Sequence, residues 1–383
     1  MKLFHLSDLH LGFRLFEVSL IDDQRYILNQ ILAYVGSEKP DGVILAGDIF
    51  DRSVPSEEAV NLYDSFITEL ANMNIPVFII SGNHDSAPRL SCCNKLMSDR
   101  GVYISSSYDG TEQKVTIADE YGNVNIYLLP FVKPANVKHY LSEDEAEKIA
   151  SYHDAVTAAI TRLNVDTAER NIIVTHQFVT GAERCESEDV SVGGTDNVAA
   201  EAFADFDYVA LGHIHGPQDV GGKKHIRYCG TPLKYSFSEA KQEKSITVVE
   251  LGAKGEINVS QLPLTPLHDL RILRGTYDEL MLLENYKNTN TDDYVKVTLT
   301  DEEDIPNAMN RLRTVYRNIL QLEYDNKRTR SNAELDAVTS VEKKSELELF
   351  AEFYEKQNGA ALGAEQVEYL RELIEELKEA EYK

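Results

Sequence analysis

Cysteine is scarce in this sequence, and its few copies follow no ligand spacing. The 383-residue chain carries four cysteines, Cys92, Cys93, Cys185 and Cys229, without a CxxC pattern. This distribution argues against a disulfide framework, a zinc ribbon or an iron–sulfur cluster, and it favours a reducing compartment.

Long apolar runs are missing as well. No stretch approaches the roughly 18 to 20 apolar residues that a membrane helix needs. The first ten residues, MKLFHLSDLH, place an aspartate and two histidines where a signal peptide would need its apolar region. The sequence therefore predicts a cytoplasmic protein without a membrane segment.

Positive charge is in short supply. The chain has 38 lysines and arginines against 64 aspartates and glutamates, which gives a formal net charge of −26. A field of this sign repels phosphate at long range. A nucleic-acid function would therefore need local positive charge, supplied by bound metal ions or by a partner subunit.

The length predicts two or three domains, and the first 265 residues have the pattern of an α/β sandwich. Five apolar runs without alternation indicate strands that are buried on both faces. Between the second and third runs, a helical pattern places Ala59, Tyr63, Phe66 and Leu70 on one face, and Pro55 fits a helix start. The five runs are KLFHLSD, DGVILAGD, IPVFIISGNHD, RNIIVTHQ and DYVALGHIHG.

The pattern changes at about residue 266. The stretch DYVKVTLT alternates like a strand, with Val295, Val297 and Leu299 on one face, and ILQLEYD alternates in the same way. Between them, IPNAMNRLRTVYRN is expected to form a helix whose basic cluster is Arg311, Arg313 and Arg317. That cluster is either a solvated helix face or a phosphate contact.

The last 58 or so residues change character again. After the polar stretch KRTRSN, two amphipathic helices are expected. Their apolar stripes are too pronounced for a solvated helix pair, so the helices should fold back on the body or dock on another chain. The stripes consist of Leu347, Phe350 and Tyr354, and of Val367, Leu370, Ile374 and Leu377.

Polar residues that bind metal follow the ends of the five predicted strands. Ligands bind beyond the carboxyl ends of strands in α/β sheets, so these residues can converge on one point. Oxygen and imidazole donors without a thiolate suit Mn²⁺, Fe or a similar ion, and seven ligands suit two ions that share a carboxylate. The candidate ligands are Asp8, His10, Asp48, Asn83, His176, His213 and His215. His84 lies among them, whereas His5, inside the first strand, is expected to be a core histidine or to lie behind the ligands.

The order of these residues resembles the calcineurin-like metallophosphoesterase superfamily, whose motifs are D-x-H, G-D, G-N-H-D/E, a histidine and G-H-x-H. Two stretches, SGNHDSAPRL and YCGTPLKYSFSEAK, are similar to its double-strand-break repair nucleases. The resemblance covers nearly the whole chain. It implies a two-sheet metallophosphoesterase sandwich flanked by helices (residues 1–265), a small α/β capping domain (266–325), and a linker with a C-terminal pair of partner-binding helices (326–383).

The resemblance also implies an activity and partners. The activity is that of a dinuclear metal-dependent hydrolase, a double-strand exonuclease and a hairpin and single-strand endonuclease in DNA repair, recombination and replication. The partner is an SMC-like ATPase, which would dock on the C-terminal helices, and the helices of the nuclease domain would form a homodimer. The location would be cytoplasmic, with action at the nucleoid. The chain has no Walker A loop, because VGGKKH has Pro217 in place of the first glycine and no Ser or Thr after its lysine.

The family's site residues carry over to matching positions. Asp8, His10, Asp48 and His215 would hold one ion, and Asp48, Asn83, His176 and His213 the other, with Asp48 bridging. His84 would be the catalytic histidine that protonates or stabilises the leaving oxygen, and Asp85 is expected to orient it. Asp51 stands where some relatives carry a histidine, and we expect it to lie behind the ligands or at a helix entry.

Two alternative functions are open at this stage. The first is another dinuclear phosphoesterase that acts on nucleotides or phosphoproteins, and its metal site would look much the same. The second is a scaffold that keeps the metallophosphoesterase fold and has lost the ligands. The complete ligand set argues against a scaffold, and the cap and tail helices argue against the other phosphoesterases.

Overall fold

The structure is a computed structural model that describes residues 1–183, 185, 188, 197–327, 329, 350, 351, 354, 363, 366, 367, 369 and 370. Strands are interspersed with α-helices up to residue 176, whereas the described residues from 176 to 275 form strands without an intervening α-helix. The strands are β1 (Lys2–Leu6), β2 (Arg14–Leu15), β3 (Val18–Ser19), β4 (Gly42–Ala46), β5 (Val77–Ile80), β6 (Val102–Ser105), β7 (Lys114–Asp119), β8 (Gly122–Leu129), β9 (Arg170–His176), β10 (Phe178–Val179), β11 (Asn197–Val198), β12 (Tyr208–Gly212), β13 (Gln218–Val220), β14 (Lys223–Tyr228), β15 (Ser245–Leu251), β16 (Ile257–Pro263), β17 (Leu270–Gly275), β18 (Tyr294–Leu299) and β19 (Asn318–Tyr324). The α-helices are α1 (Ile21–Glu38), α2 (Glu57–Asn72), α3 (Ala87–Leu90), α4 (Asn94–Ser98), α5 (Pro134–Lys138), α6 (Glu143–Ala146), α7 (Tyr152–Thr161), α8 (Tyr277–Met281), α9 (Leu283–Tyr286) and α10 (Ala308–Leu312).

Two six-stranded sheets form the body of the protein. The first has the order β16-β15-β1-β4-β5-β6, and the second has the order β13-β14-β12-β9-β8-β7. In the first, β1, β4, β5 and β6 are parallel, and β15 joins β1 in the antiparallel sense. In the second, β8, β9, β12 and β14 are parallel. The inner strands β4 and β12 are buried along their whole length, as the unbroken apolar runs predict.

The two sheets pack face to face over an apolar layer. Leu3, Ile44 and Phe78 of the first sheet meet Ile126 and Val174 of the second in this layer. Helices α1 and α2 add to a second core on the outer face of the first sheet, and α7 adds to a third core on the second sheet. The predicted two-sheet sandwich flanked by helices is therefore confirmed.

Helix α2 forms where the sequence predicts it, with differences at two positions. Its N-cap is Ser56, whose hydroxyl accepts a hydrogen bond from Ala59 N at 3.2 Å, so Pro55 lies before the cap and not in the first turn. Tyr63 is only half-buried, and Leu62 and Ile67 complete the buried face. The apolar stripe therefore lies slightly to one side of the predicted one.

Three strands form a separate small sheet in the order β17-β18-β19. Val295, Val297 and Leu299 of β18 are fully buried on one face, as predicted. The helix between β18 and β19 is shorter than predicted and ends at Leu312. Arg313 and Arg317 therefore lie beyond it, and the predicted basic helix face does not form. Arg313 Nη2 donates to Ile319 O at 3.1 Å, and Arg317 pairs with Asp292 at 3.3 Å.

The chain divides into two compact units. The first consists of Met1–Leu273, Met281–Val297 and Met309–Leu322, and the second contains Arg274–Leu280, Thr298–Ala308 and the chain from Glu323. Within the second unit, Asn326 Nδ2 donates to Asp301 O at 3.1 Å. The predicted boundaries near residues 265 and 325 stay predictions.

The two predicted C-terminal helices lie outside the described residues, apart from isolated positions. No helix formed by the part of the chain that the structure describes has the length and apolarity needed to cross a membrane.

Candidate metal centre

The predicted ligands lie at the carboxyl ends of strands from both sheets. Asp8 and His10 follow β1, Asp48 follows β4, and Asn83 with His84 follows β5. His176 ends β9 of the second sheet, and His213 and His215 follow β12. The two sheets are tied together at this point, because His176 Nδ1 lies 2.8 Å from Ala46 O. The structure brings all of the predicted ligands to one place.

Several of these residues have an uncommon backbone conformation. Asp8, His10 and Asp48 have φ values of 53°, 42° and 49°, in the left-handed region, and φ of His213 is 99°. Such conformations cost energy and persist where the surroundings enforce them. Here, Asp8 N donates to Gly47 O at 2.9 Å and His10 N donates to Asp48 O at 3.0 Å. The two strand ends thus hold each other and turn their side chains towards one point.

Two glycines make this close approach possible. A Cβ at Gly82 would lie 2.1 Å from Asp48 Oδ1, and one at Gly212 would lie 2.0 Å from Ala46 O. Neither contact is tolerable, so the space beside the ligands requires residues without a side chain.

The first group of donors surrounds His10. Donor atoms of Asp8, His10 and His215 lie within 4.8 Å of one another. His10 Nε2 is 3.9 Å from Asp8 Oδ1 and 3.8 Å from Asp48 Oδ2. These separations are those of atoms that share an ion, since each would bind at about 2.0 to 2.2 Å.

The second group surrounds His176. His176 Nε2 lies 3.2 Å from Asp48 Oδ2 and 3.1 Å from Asn83 Oδ1. His213 Nδ1 lies 3.1 Å from the same Asn83 oxygen. Asp48 Oδ2 therefore faces both His10 and His176, which is the placement that a bridging carboxylate needs.

His84 lies at the edge of the centre. Its side chain is 28% exposed, whereas those of His10 and His176 are 4% and 0% exposed. His84 Nδ1 lies 2.9 Å from Asp51 O, and because a carbonyl oxygen only accepts, Nδ1 carries the proton. His84 Nε2 lies 4.0 Å from Asp48 Oδ2. The ring is thus fixed with Nε2 towards the centre.

Asp51 and Asp85 support the site through the backbone. Asp51 contributes the carbonyl that holds His84, while its carboxylate pairs with Arg52 at 3.3 Å. Asp85 accepts hydrogen bonds from Ile49 N, Phe50 N and Gly82 N at 3.1, 2.9 and 2.9 Å. Asp85 therefore fixes the loops that carry Asp48 and Asn83, and its predicted role in orienting His84 stays a prediction.

Burial and mutual charge shift the titration of these groups. Burial alone would raise the pKa of Asp48, but the imidazoles of His176, His10 and His84 hold that pKa below its usual range. Burial alone would lower the pKa of His176, but Asp48 and Asp8 raise it to about 9. Burial lowers the pKa of His10 well below its usual value, and burial raises the pKa of Asp8. The centre is built to hold positive charge between its carboxylates.

The donor set fits divalent cations. Both ring nitrogens of His10 are buried and have no hydrogen-bond partner among the described residues, which is costly unless a ligand engages them. The surrounding donors are carboxylate, amide and imidazole atoms, the set that suits Mn²⁺ or Fe. Asp8 and Asp48 are both buried, so a cation between them would offset their repulsion.

Sequence reasoning did not find every residue that shapes the centre. Glu188, Glu239 and Lys244 are buried and surround His215. Glu239 and Lys244 occur in or next to YSFSEAK, but no ligand spacing singles them out. His5 is buried in the core as expected, with Nδ1 at 2.9 Å from the hydroxyl oxygen of Tyr208, and burial lowers its pKa to about 3.

The fold and the centre define a class of protein that sequence comparison also finds. The model described as Calcineurin-like phosphoesterase matches residues 1–217, and the chain belongs to that family. A model described as Type 5 capsule protein repressor C-terminal domain matches residues 266–358. The family expected from the motifs is thereby confirmed.

A relative that matches along almost its full length shows which branch of this family the chain resembles. The chain is 30% identical over 381 residues to the D subunit of the nuclease SbcCD of Staphylococcus epidermidis, and the match covers 98% of each chain. Among solved structures, it is similar to a dimetal phosphatase from Danio rerio at 12% identity and a TM-score of 0.39, over 69% of this chain and 98% of that one. A protein of Thermus thermophilus matches at 12% identity and a TM-score of 0.38, over 68% of this chain and 98% of that one.

Proposed function

We propose that this protein is the nuclease subunit of an SbcCD-type complex and hydrolyses DNA phosphodiesters with two divalent metal ions. The observation that carries the proposal is the convergence of the seven candidate ligands in two adjoining groups, with Asp48 Oδ2 facing His10 in one and His176 in the other. The full-length similarity to a nuclease subunit supports DNA as the substrate over nucleotides or phosphoproteins. It acts in the cytoplasm, at the nucleoid.

The two donor groups support the ligand sets that the family resemblance implies. Asp8, His10, Asp48 and His215 would hold one ion, and Asp48, Asn83, His176 and His213 would hold the other. Mn²⁺ is the proposed ion, because Mg²⁺ seldom recruits this many imidazoles. When bound, such ions stabilise the charge that develops on phosphoryl oxygens and activate water for attack.

His84 supplies the proton-transfer group in this scheme. Its Nδ1 proton is donated to Asp51 O, so the proton for the leaving oxygen is a second one, carried on Nε2 of the imidazolium form. The partial exposure of the ring, at 28%, supports contact with a substrate strand. His84 is therefore the catalytic histidine of the proposed reaction, acting as a general acid.

The test of this function is cleavage of end-labelled linear duplex DNA with Mn²⁺ and with a chelator. We expect cleavage with Mn²⁺ alone, and the chelator should abolish it, because the chain's own groups cannot replace the ions. Parallel reactions contain a chromogenic phosphodiester and a phosphomonoester. Turnover of the small esters with the DNA left intact, also in the presence of the ATPase partner, would reject a nuclease and keep a different phosphoesterase.

The chain divides into the three predicted segments in this proposal, and the last one recruits an SMC-like ATPase. The second family match, over residues 266–358, supports a separate C-terminal module. The relative's name, which marks it as one subunit of a complex, supports a partner.

Removal of residues 341–383 is therefore expected to abolish co-purification with the ATPase. Hydrolysis of the small phosphodiester should stay within about twofold of the full-length chain, since every proposed ligand lies at or before His215. Pull-down and turnover are measured on the same preparations. Retention of the ATPase by the shortened chain would contradict this docking site.

The proposed homodimer has a suitable surface on the nuclease domain. An apolar groove of about 950 Å³ lies between α2 and the segment that contains α3 and α4. On it, Val60 is 42% exposed and Leu96 is 70% exposed. A second copy would cover these side chains, and sedimentation equilibrium that shows only monomers at micromolar concentration would reject it.

A further inference from the structure

The backbone N–H and the backbone carbonyl of His215 are both held by hydrogen bonds to buried groups. Its backbone N donates to Glu188 Oε1 at 2.6 Å. Its backbone O accepts from Lys244 Nζ at 2.9 Å and from Thr231 N at 3.1 Å. Its ring Nδ1 lies 3.6 Å from Glu239 Oε1, slightly longer than a hydrogen bond and close enough for the carboxylate to attract a proton on that nitrogen.

Glu239 and Lys244 form an ion pair that water does not reach. Glu239 is 0% exposed and Lys244 is 5% exposed, and the pair is 2.6 Å long. Lys244 Nζ also contacts Thr231 Oγ1 and Gln242 Oε1, both at 2.7 Å.

A buried ion pair seldom adds net stability, since desolvation offsets the attraction. The Glu239–Lys244 pair lies beside His215, a proposed metal ligand, and this position points to a role other than stability. A carboxylate near one ring nitrogen favours the proton on that nitrogen and leaves the other for a metal ion. Lys244 neutralises the added carboxylate and also fixes the backbone of His215.

We propose that the Glu239–Lys244 pair positions His215 as a metal ligand. Glu239 acts on the imidazole ring of His215, and Lys244 acts on its backbone carbonyl. The inference rests on the ligand assignment of the proposed function. Neither residue is a ligand, and neither touches the substrate. Both are positioning residues for the ion that Asp8, His10 and His215 share.

The test is the binding of Mn²⁺ to Glu239→Gln, measured by isothermal titration calorimetry on the full-length chain. We expect one of the two ions to bind about 10- to 100-fold more weakly, which is the usual effect of removing a partner behind a metal ligand. The other ion should keep its affinity, because the pair engages His215, which is a proposed ligand of the first ion only. Unfolding of the metal-free protein is measured in parallel.

Two further variants separate positioning from folding. Asp119→Asn weakens the half-buried pair with Arg170, away from the centre, and should lower stability while both Mn²⁺ affinities stay unchanged. The double variant Glu239→Gln, Lys244→Met removes both charges of the pair and leaves neither unpaired. It replaces Glu239→Gln in the Mn²⁺ binding measurement if the single variant does not fold. That double variant should also lose affinity for one ion.

If Glu239→Gln or the double variant binds both Mn²⁺ ions with wild-type affinity, the proposal is overturned and the Glu239–Lys244 pair has a structural role only. An equal loss of Mn²⁺ affinity at both positions would also overturn the proposal. Failure of the wild-type chain to bind two ions is a different result, because it rejects the proposed function before any variant is compared.

Discussion

His84→Ala is expected to lower DNA cleavage by about 10²- to 10⁴-fold, the usual contribution of a general acid. Metal binding should remain, because His84 is not among the proposed ligands and its ring is held by Asp51 O at the edge of the centre. Turnover of duplex DNA and Mn²⁺ stoichiometry are measured on the same preparation. The loss should appear in kcat, since the ring acts on the leaving oxygen and not on substrate binding.

The leaving group provides a sharper form of this test. An alkoxide leaving from DNA needs a proton, whereas a nitrophenolate leaves without one. The variant should therefore be much less impaired on a nitrophenyl phosphodiester than on DNA. His139→Ala, which removes an exposed histidine elsewhere, is the control and should match the wild type. Equal losses on both substrates would contradict the role of general acid.

Asp48→Asn should have the other large effect, the weakening of metal binding at both positions of the centre. Asp48 Oδ2 is 3.8 Å from His10 Nε2 and 3.2 Å from His176 Nε2, so its carboxylate belongs to both donor groups. An amide of the same shape removes the charge and the bridging capacity together. We expect Mn²⁺ stoichiometry to fall from two to at most one weakly bound ion, and DNA cleavage to fall by at least about 10³-fold.

Asp51→Asn is the matched control for that variant. Asp51 lies three residues further along the same loop, but its contact with the centre is the backbone carbonyl, which the substitution keeps. The variant should retain two ions and most of its cleavage. Two tightly bound ions in Asp48→Asn would show that the two donor groups do not share this carboxylate.

The strands, and the meeting of the candidate ligands at their ends, could be predicted because apolar runs and the polar residues after them are local signals. An unbroken apolar run such as DGVILAGD predicts a buried strand, and the polar residues that follow the run then lie at the end of the sheet. The pairing of the two sheets is not a local signal, and only the resemblance to the calcineurin-like metallophosphoesterases implies it.

Other features of the centre have no sequence signal. The carbonyl oxygens of Asp51 and Ala46 hold His84 and His176, and a backbone oxygen is the same in any residue. Glu239 lies 24 positions after His215 in the chain and reaches it only through the tertiary fold. The left-handed conformation of Asp8 and Asp48 likewise depends on the contact between the ends of β1 and β4.

The basic segment after β18 shows how a periodic pattern can mislead. Arg311, Arg313 and Arg317 fit one long helix, but α10 ends at Leu312. Tyr316, which is 1% exposed, lies beyond that end and is buried in the core. Core packing of this side chain outweighs the helical pattern at this point.

Anomalous diffraction from crystals grown with Mn²⁺ tests the central claim most directly. The account predicts two anomalous peaks about 3.5 to 4 Å apart, with the Asp48 carboxylate between them. One peak should lie beside His10 and His215 and the other beside His176 and His213. A single peak, or peaks away from Asp48, would contradict a dinuclear centre at this site.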